Sequence, residues 1–254
     1  MPVQLFLDPI SPPARAIHQL CLTLKIPLEV HIVDLGKGDH KKPEFLKINP
    51  NGKVPAINDD GVCLEESRAI AVYLIEKYRN HENVDKDQAE IFFPEKNLQK
   101  KAEITTAMIK TILFHEAVVG STIYDKVFPQ DFAPFKKNFA APEAQAYLRK
   151  AFSTIPFQTM KTGQFLDDYN KSYEKRDFNN DKFNVADLMV YELFFTLFLL
   201  NFDYDKENYQ GLVKLEGEAK KLEGYEAVHE AVLGFGAFFK ENYVAGKKFF
   251  EQDL

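Results

Sequence analysis

Strand and helix signals alternate through the first eighty residues and then give way to helical patterns alone. This predicts a small α/β domain with a four-stranded mixed sheet over residues 1–80, followed by an all-helical domain over residues 89–254. Two observations carry the prediction. Short apolar runs bounded by turn residues are confined to the first part. Beyond the polar stretch 79–88 the apolar residues recur only at helical spacing, broken near Phe128-Pro129, Ala141-Pro142 and residues 175–182.

The elements follow in order. Val3-Gln4-Leu5-Phe6-Leu7 reads as a buried strand. Ser11-Pro12-Pro13 reads as a helix cap and first turn, because serine caps well and proline is tolerated early in a helix. Ala14, Ile17, Cys21 and Leu24 mark one face of that helix. A second strand covers residues 28–33, a polar connection 36–42, and a short helix 43–48. Asn49-Pro50-Asn51-Gly52 is a turn cluster. Residues 56–58 and 62–64, separated by Asp59-Asp60-Gly61, form a hairpin, and a helix from about Ser67 to Tyr78 closes the unit. In the helical half, Asn184 can cap a helix with Asp187 at its third position, and Phe183 with Leu188 can staple its start.

The composition, 45% hydrophobic and 28% charged, is that of a globular protein. A net charge of -6 argues against nucleic acid as the main partner, since phosphate binding needs a concentrated basic face. No apolar run approaches the roughly 20 residues that span a bilayer, so no membrane partner is expected. The N-terminal residues lack a secretion signal, and the two cysteines, Cys21 and Cys63, have no zinc or CxxC spacing. A cytoplasmic, metal-free protein is expected, and Asn170-Lys171-Ser172 is then a chance glycosylation match.

The most informative stretch is Lys53-Val54-Pro55, followed by Glu66-Ser67 at a helix start. An X-Pro pair can fix backbone groups in a turn. Free N–H groups and a serine hydroxyl at a helix N-terminus suit a carboxylate, and a glutamate there suits an ammonium. Together they could hold a zwitterion such as the amino-acid end of a peptide. The same residues also fit an ordinary turn and cap.

As a set, these motifs resemble the cytosolic glutathione transferases: Ser-Pro-Pro-Ala-Arg from Ser11 to Arg15, Lys53-Val54-Pro55, Glu66-Ser67-Arg68-Ala69-Ile70, and Asn184-Val185-Ala186-Asp187. Residues 26–41 and 44–50 most resemble the theta class, with delta and epsilon next. The resemblance is dense over residues 1–80 and thin beyond. It implies a thioredoxin-like first domain that binds glutathione as co-substrate, and a helical domain that walls the pocket for a small hydrophobic electrophile. Ser11 is implied as the hydroxyl that stabilises the glutathione thiolate, donating a hydrogen bond rather than attacking. His40, Lys41 and Lys53 would contact the glycyl carboxylate. Val54 would pair its backbone with the cysteinyl portion, next to a cis Pro55. Glu66 and Ser67 would hold the γ-glutamyl head, with Arg68 in support. A homodimer is implied as well, and a glutathione peroxidase activity is left open.

Two other functions share this fold. A thiol–disulfide or dehydroascorbate-type reductase needs a cysteine at the first helix start, where this chain has Ser11 and where Cys21 lies about two and a half turns further on. A non-catalytic scaffold is the alternative that keeps the fold without the reaction, and the loop at residues 171–184, which departs from the family's glycine-containing form, keeps it open. Phe114, Tyr124 and Phe249-Phe250 are candidate walls of the electrophile pocket. Tyr73, Tyr78 and residues 194–198 read as core, and Lys100-Lys101 and Lys220-Lys221 as solvated faces.

Overall fold

Strand β1, Val3–Leu7, alternates buried and half-buried side chains and forms the centre of the first domain in the computed structural model. The structure describes residues 1–35, 37–115, 156–199, 206–230 and 232–233. Helix α1 (Pro12–Leu24) buries Ala14, Ile17, Cys21 and Leu24 completely, as its spacing predicts. Strand β2 (Leu28–Ile32) pairs parallel to β1. A 3-10 turn at Asp39–Lys41 and helix α2 (Pro43–Leu46) lead to the hairpin β3 (Ala56–Asp59) and β4 (Val62–Glu65). Helix α3 (Ser67–Tyr78) closes the unit. The sheet order is β2-β1-β3-β4, with β3 antiparallel to both of its neighbours. This is the expected mixed four-stranded sheet.

The polar stretch 79–88 is not a plain linker. Asp85 Oδ1 accepts from Gln88 N–H (2.9 Å) and starts helix α4, Lys86–Phe92. Arg79 is buried there and donates to Glu90 (3.0 Å) and to the Phe93 carbonyl (2.7 Å). Helices α5 (Leu98–His115), α6 (Pro156–Glu174), α7 (Val185–Leu199) and α8 (Gln210–Ala219) follow, and residues 225–230 are helical as well. The start of α7 is doubly capped. Asn184 Oδ1 accepts from Ala186 N–H (2.9 Å), Asp187 accepts from Asn184 N–H (2.7 Å), and Phe183 and Leu188 are buried beside them.

The chain divides into two compact units. One comprises Met1–Thr111, Asp177–Glu192 and Leu215–Val232; the other comprises Ile112–Arg176, Leu193–Lys214 and Leu233–Leu254. In the first, Lys100 and Lys101 bond Asp181 and Glu76, so that pair ties elements together rather than lying free in solvent. In the second, the Asn170 side chain accepts from the N–H groups of Gly211 (2.8 Å) and Leu212 (3.3 Å) and donates to Glu174 (2.7 Å). That buried amide is fully used in capping α8, which gives the sequon a structural role. No helix among the described residues is long and apolar enough to cross a membrane.

Candidate functional site

The strand register brings the sequence-predicted residues to one end of the sheet. Leu7 pairs with Ile32, Phe6 with Ala56, and Ala56 with Glu65. The segments leaving these positions are the turn to Ser11, the loop carrying His40 and Lys41, Lys53-Val54-Pro55, and Glu66-Ser67-Arg68. Four chain segments thus open from the same end of the sheet.

Ser11 is buried and stands at the cap position of α1, yet its hydroxyl makes no capping bond. Its backbone explains why. Pro12 and Pro13 have no N–H to receive, and the Ala14 and Arg15 N–H groups are taken by the Ser11 carbonyl (3.1 and 3.0 Å). The hydroxyl is therefore the donor left at this turn, and the α1 macrodipole adds a positive end behind it. Asp8 shapes the approach. Its carbonyl receives Ser11 N–H (3.0 Å), and its carboxylate receives Ile10 N–H (3.0 Å) and Leu35 N–H (2.9 Å), joining the Ser11 turn to the next loop. Burial pushes the Asp8 carboxyl above its ordinary value, against the opposing pull of those two N–H bonds.

Asn49, almost fully buried, builds the turn before Val54. It donates to the Lys53 carbonyl (2.8 Å) and accepts from Asn51 N–H (2.9 Å). Gly52 takes a positive φ of 60°, and a side chain there would meet the His40 carbonyl at 2.9 Å. This close approach seats the half-buried His40 and exposed Lys41 on the turn that carries exposed Lys53. The Val54–Pro55 peptide is cis, as expected, and the Val54 N–H and C=O have no hydrogen-bond partner among the described residues.

Glu66 is exposed and holds a φ of 66°, a conformation that costs a non-glycine residue about 1–3 kcal/mol. The first intrahelical bond of α3 runs from Ile70 N–H to the Glu66 carbonyl (2.9 Å), so the first-turn N–H groups precede it. Ser67 is buried beneath them and accepts from Arg68 Nη1 (3.2 Å), while Arg68 Nη2 reaches Thr111 Oγ1 on α5 (2.7 Å). Cys21 lies away from this edge in the α1 face, where burial pushes its thiol up to about 12. No group of three or more metal-ligating side chains occurs among the described residues.

Sequence reasoning missed Asp8, Asn49 and the buried pair Arg15–Glu192, which meet at 2.7 Å. A lone Glu in the apolar run of α7 was the available signal for the last, because a buried charge needs a partner. Of the pocket candidates, Tyr124, Phe249, Phe250 and the Phe114 side chain lie outside the described residues.

The model of the glutathione S-transferase N-terminal domain matches residues 5–82. Over 79 residues the chain is 48% identical to human glutathione S-transferase theta-2, covering 31% of this chain and 32% of that one. The match thus spans about a third of the length of the curated relatives. Human glutathione transferase theta-2, solved with glutathione and an unknown ligand, superposes with a TM-score of 0.69 at 24% identity, covering 99% of this chain and 100% of that one. A delta-class glutathione transferase from Nilaparvata lugens gives a TM-score of 0.64 at 25% identity, over 95% of this chain and 100% of that one. The chain has the glutathione transferase fold, with a thioredoxin-like first domain. Residues 5–82 match the glutathione S-transferase N-terminal family model, and over 79 residues the similarity is to a theta-class member.

Proposed function

We propose that this protein is a glutathione transferase that conjugates the glutathione thiolate to small hydrophobic electrophiles. The observation that carries the reading is that four segments leave the same end of the sheet, one of them bearing a Ser11 hydroxyl that makes no capping bond. Glutathione's γ-glutamyl ammonium and carboxylate would lie at Glu66, Ser67 and the first-turn N–H groups of α3, with Arg68 behind them. Its cysteinyl backbone would pair with the open N–H and C=O of Val54 beside Pro55, as an added strand does. Its glycyl carboxylate would face His40, Lys41 and Lys53.

The sulfur would then lie at Ser11. A free thiol with a pKa of about 8.5 is mostly un-ionised at neutral pH, and a hydroxyl donor stabilises the thiolate preferentially. Ser11 keeps its proton and orients the nucleophile; carbon–sulfur bond formation belongs to glutathione and the electrophile. The same thiolate also suits reduction of organic hydroperoxides. In this reading residues 1–80 are the glutathione domain, and residues 89–254 supply the electrophile pocket and the second face of a homodimer. The two unpaired cysteines suit a cytoplasmic setting. Burial of the Cys21 thiol counts against a reductase, which needs an accessible thiolate.

The test is retention of the full chain on immobilised glutathione, followed by assay with a panel of electrophiles and an organic hydroperoxide. Retention with turnover supports the transferase. Retention without turnover on any of them favours a scaffold that has kept the binding edge.

A further inference from the structure

We propose that Arg15 is a positioning residue for the Ser11 hydroxyl, held in place by Glu192 and His229 from the C-terminal half. This rests on the reading of Ser11 as the thiolate donor. Arg15 lies in the first turn of α1 but points back into the interior, where it is 1% exposed. Its Nη1 donates to the carbonyls of Pro9 and Ile10, both at 3.0 Å, the two residues immediately before Ser11. Its Nε donates to Glu192 Oε2 (2.7 Å) and its Nη2 to the Glu192 carbonyl (2.9 Å).

One planar guanidinium thus clamps the Ser11 turn on one side and α7 on the other. Lysine, with a single nitrogen, cannot reproduce that fork. Glu192 is itself fully buried, with His229 Nε2 at 3.1 Å from its other oxygen. His229 Nδ1 meets the Tyr225 carbonyl at 2.8 Å, and the two rings stack with centroids 4.0 Å apart. Burial would raise the Glu192 carboxyl, but His229 and Arg15 outweigh it and keep the group below its ordinary value. Two buried partners thus hold the carboxylate in place beside Arg15.

A buried ion pair alone could be only structural. What distinguishes this one is that its other edge ends on the two carbonyls immediately before Ser11. The test is the apparent pKa of glutathione bound to the full-length chain, read from the ultraviolet absorbance of the thiolate, with Kd by calorimetry and folding by circular dichroism. Arg15→Lys and Glu192→Gln are expected to raise that pKa by about one unit while changing Kd by less than about threefold. Arg15→Lys added to Ser11→Ala is expected to raise it no further, because both act through one hydroxyl. A rise in Ser11→Ala with none in Arg15→Lys or Glu192→Gln overturns the positioning claim alone. So does an additive rise in the double variant, or failure of both Arg15→Lys and Glu192→Gln to fold. A wild-type pKa in Ser11→Ala overturns the donor reading itself, and the positioning claim with it.

Discussion

Replacing Ser11 with alanine removes the one donor left at the first turn of α1. Pro12 and Pro13 offer no N–H, and the N–H groups of Ser11, Ala14 and Arg15 are already bound to backbone carbonyls. No neighbouring backbone donor is therefore free to take over. A hydrogen bond to a charged group contributes about 1.5–3 kcal/mol. At about 1.4 kcal/mol per unit, the bound thiol's pKa is expected to rise by about one to two units. At pH 6.5 the thiolate fraction, and with it kcat/KM, should fall by about tenfold to a hundredfold, and the deficit should close as pH rises above the new pKa. Glutathione affinity should stay within about threefold, since the residues expected to hold both ends of the tripeptide are untouched. The assay is the pH profile of kcat/KM with an electrophile that the unaltered protein turns over. A profile that keeps its midpoint, or a deficit that persists unchanged at alkaline pH, refutes the reasoning.

Glu66→Ala should weaken glutathione binding by about tenfold in calorimetry while leaving Tm nearly unchanged, because the side chain is exposed and alanine meets the same backbone strain. Asp59→Ala should cost about 2–3 kcal/mol in urea unfolding, because the buried carboxylate accepts from Tyr73 (3.0 Å), Lys77 (2.7 Å) and Tyr78 (2.9 Å). Burial pushes the Asp59 carboxyl up, but Lys77, Tyr78 and Tyr73 outweigh it and hold it below its ordinary value. Its stabilisation is then complete above that ordinary value and lost as pH falls through the folded one, so the variant should lack this part of the acid sensitivity. Gly211→Ala should lower stability by about 1–3 kcal/mol or more, since the added carbon would stand 2.1 Å from the Asn170 carbonyl oxygen; an unchanged Tm would show that α6 and α8 can part freely.

The first domain was legible because its signals are local. Alternation in Val3–Leu7, the face Ala14, Ile17, Cys21 and Leu24, and the Asp-Asp-Gly turn each specify an element within a few residues. The Lys86–Phe92 helix had a local signal too, an aspartate cap with glutamine three residues on, hidden in a stretch that reads as polar linker. The Arg15–Glu192 pair was not legible in this way. Its partners are 177 residues apart, and only the folded chain shows that they share one dry site. The candidate glutathione edge lies between these extremes. Each motif is weak alone, and the register Phe6–Ala56–Glu65 is what brings their segments to one place.

The proposed reaction depends first on glutathione binding at this end of the sheet. Its most direct test is the amide NMR spectrum of the full chain titrated with glutathione. Saturable shifts centred on Ser11, His40, Val54 and Ser67 are expected, with Glu66→Ala needing about tenfold more glutathione to reach the same saturation. A spectrum unmoved at millimolar glutathione, or shifts centred elsewhere, would contradict it.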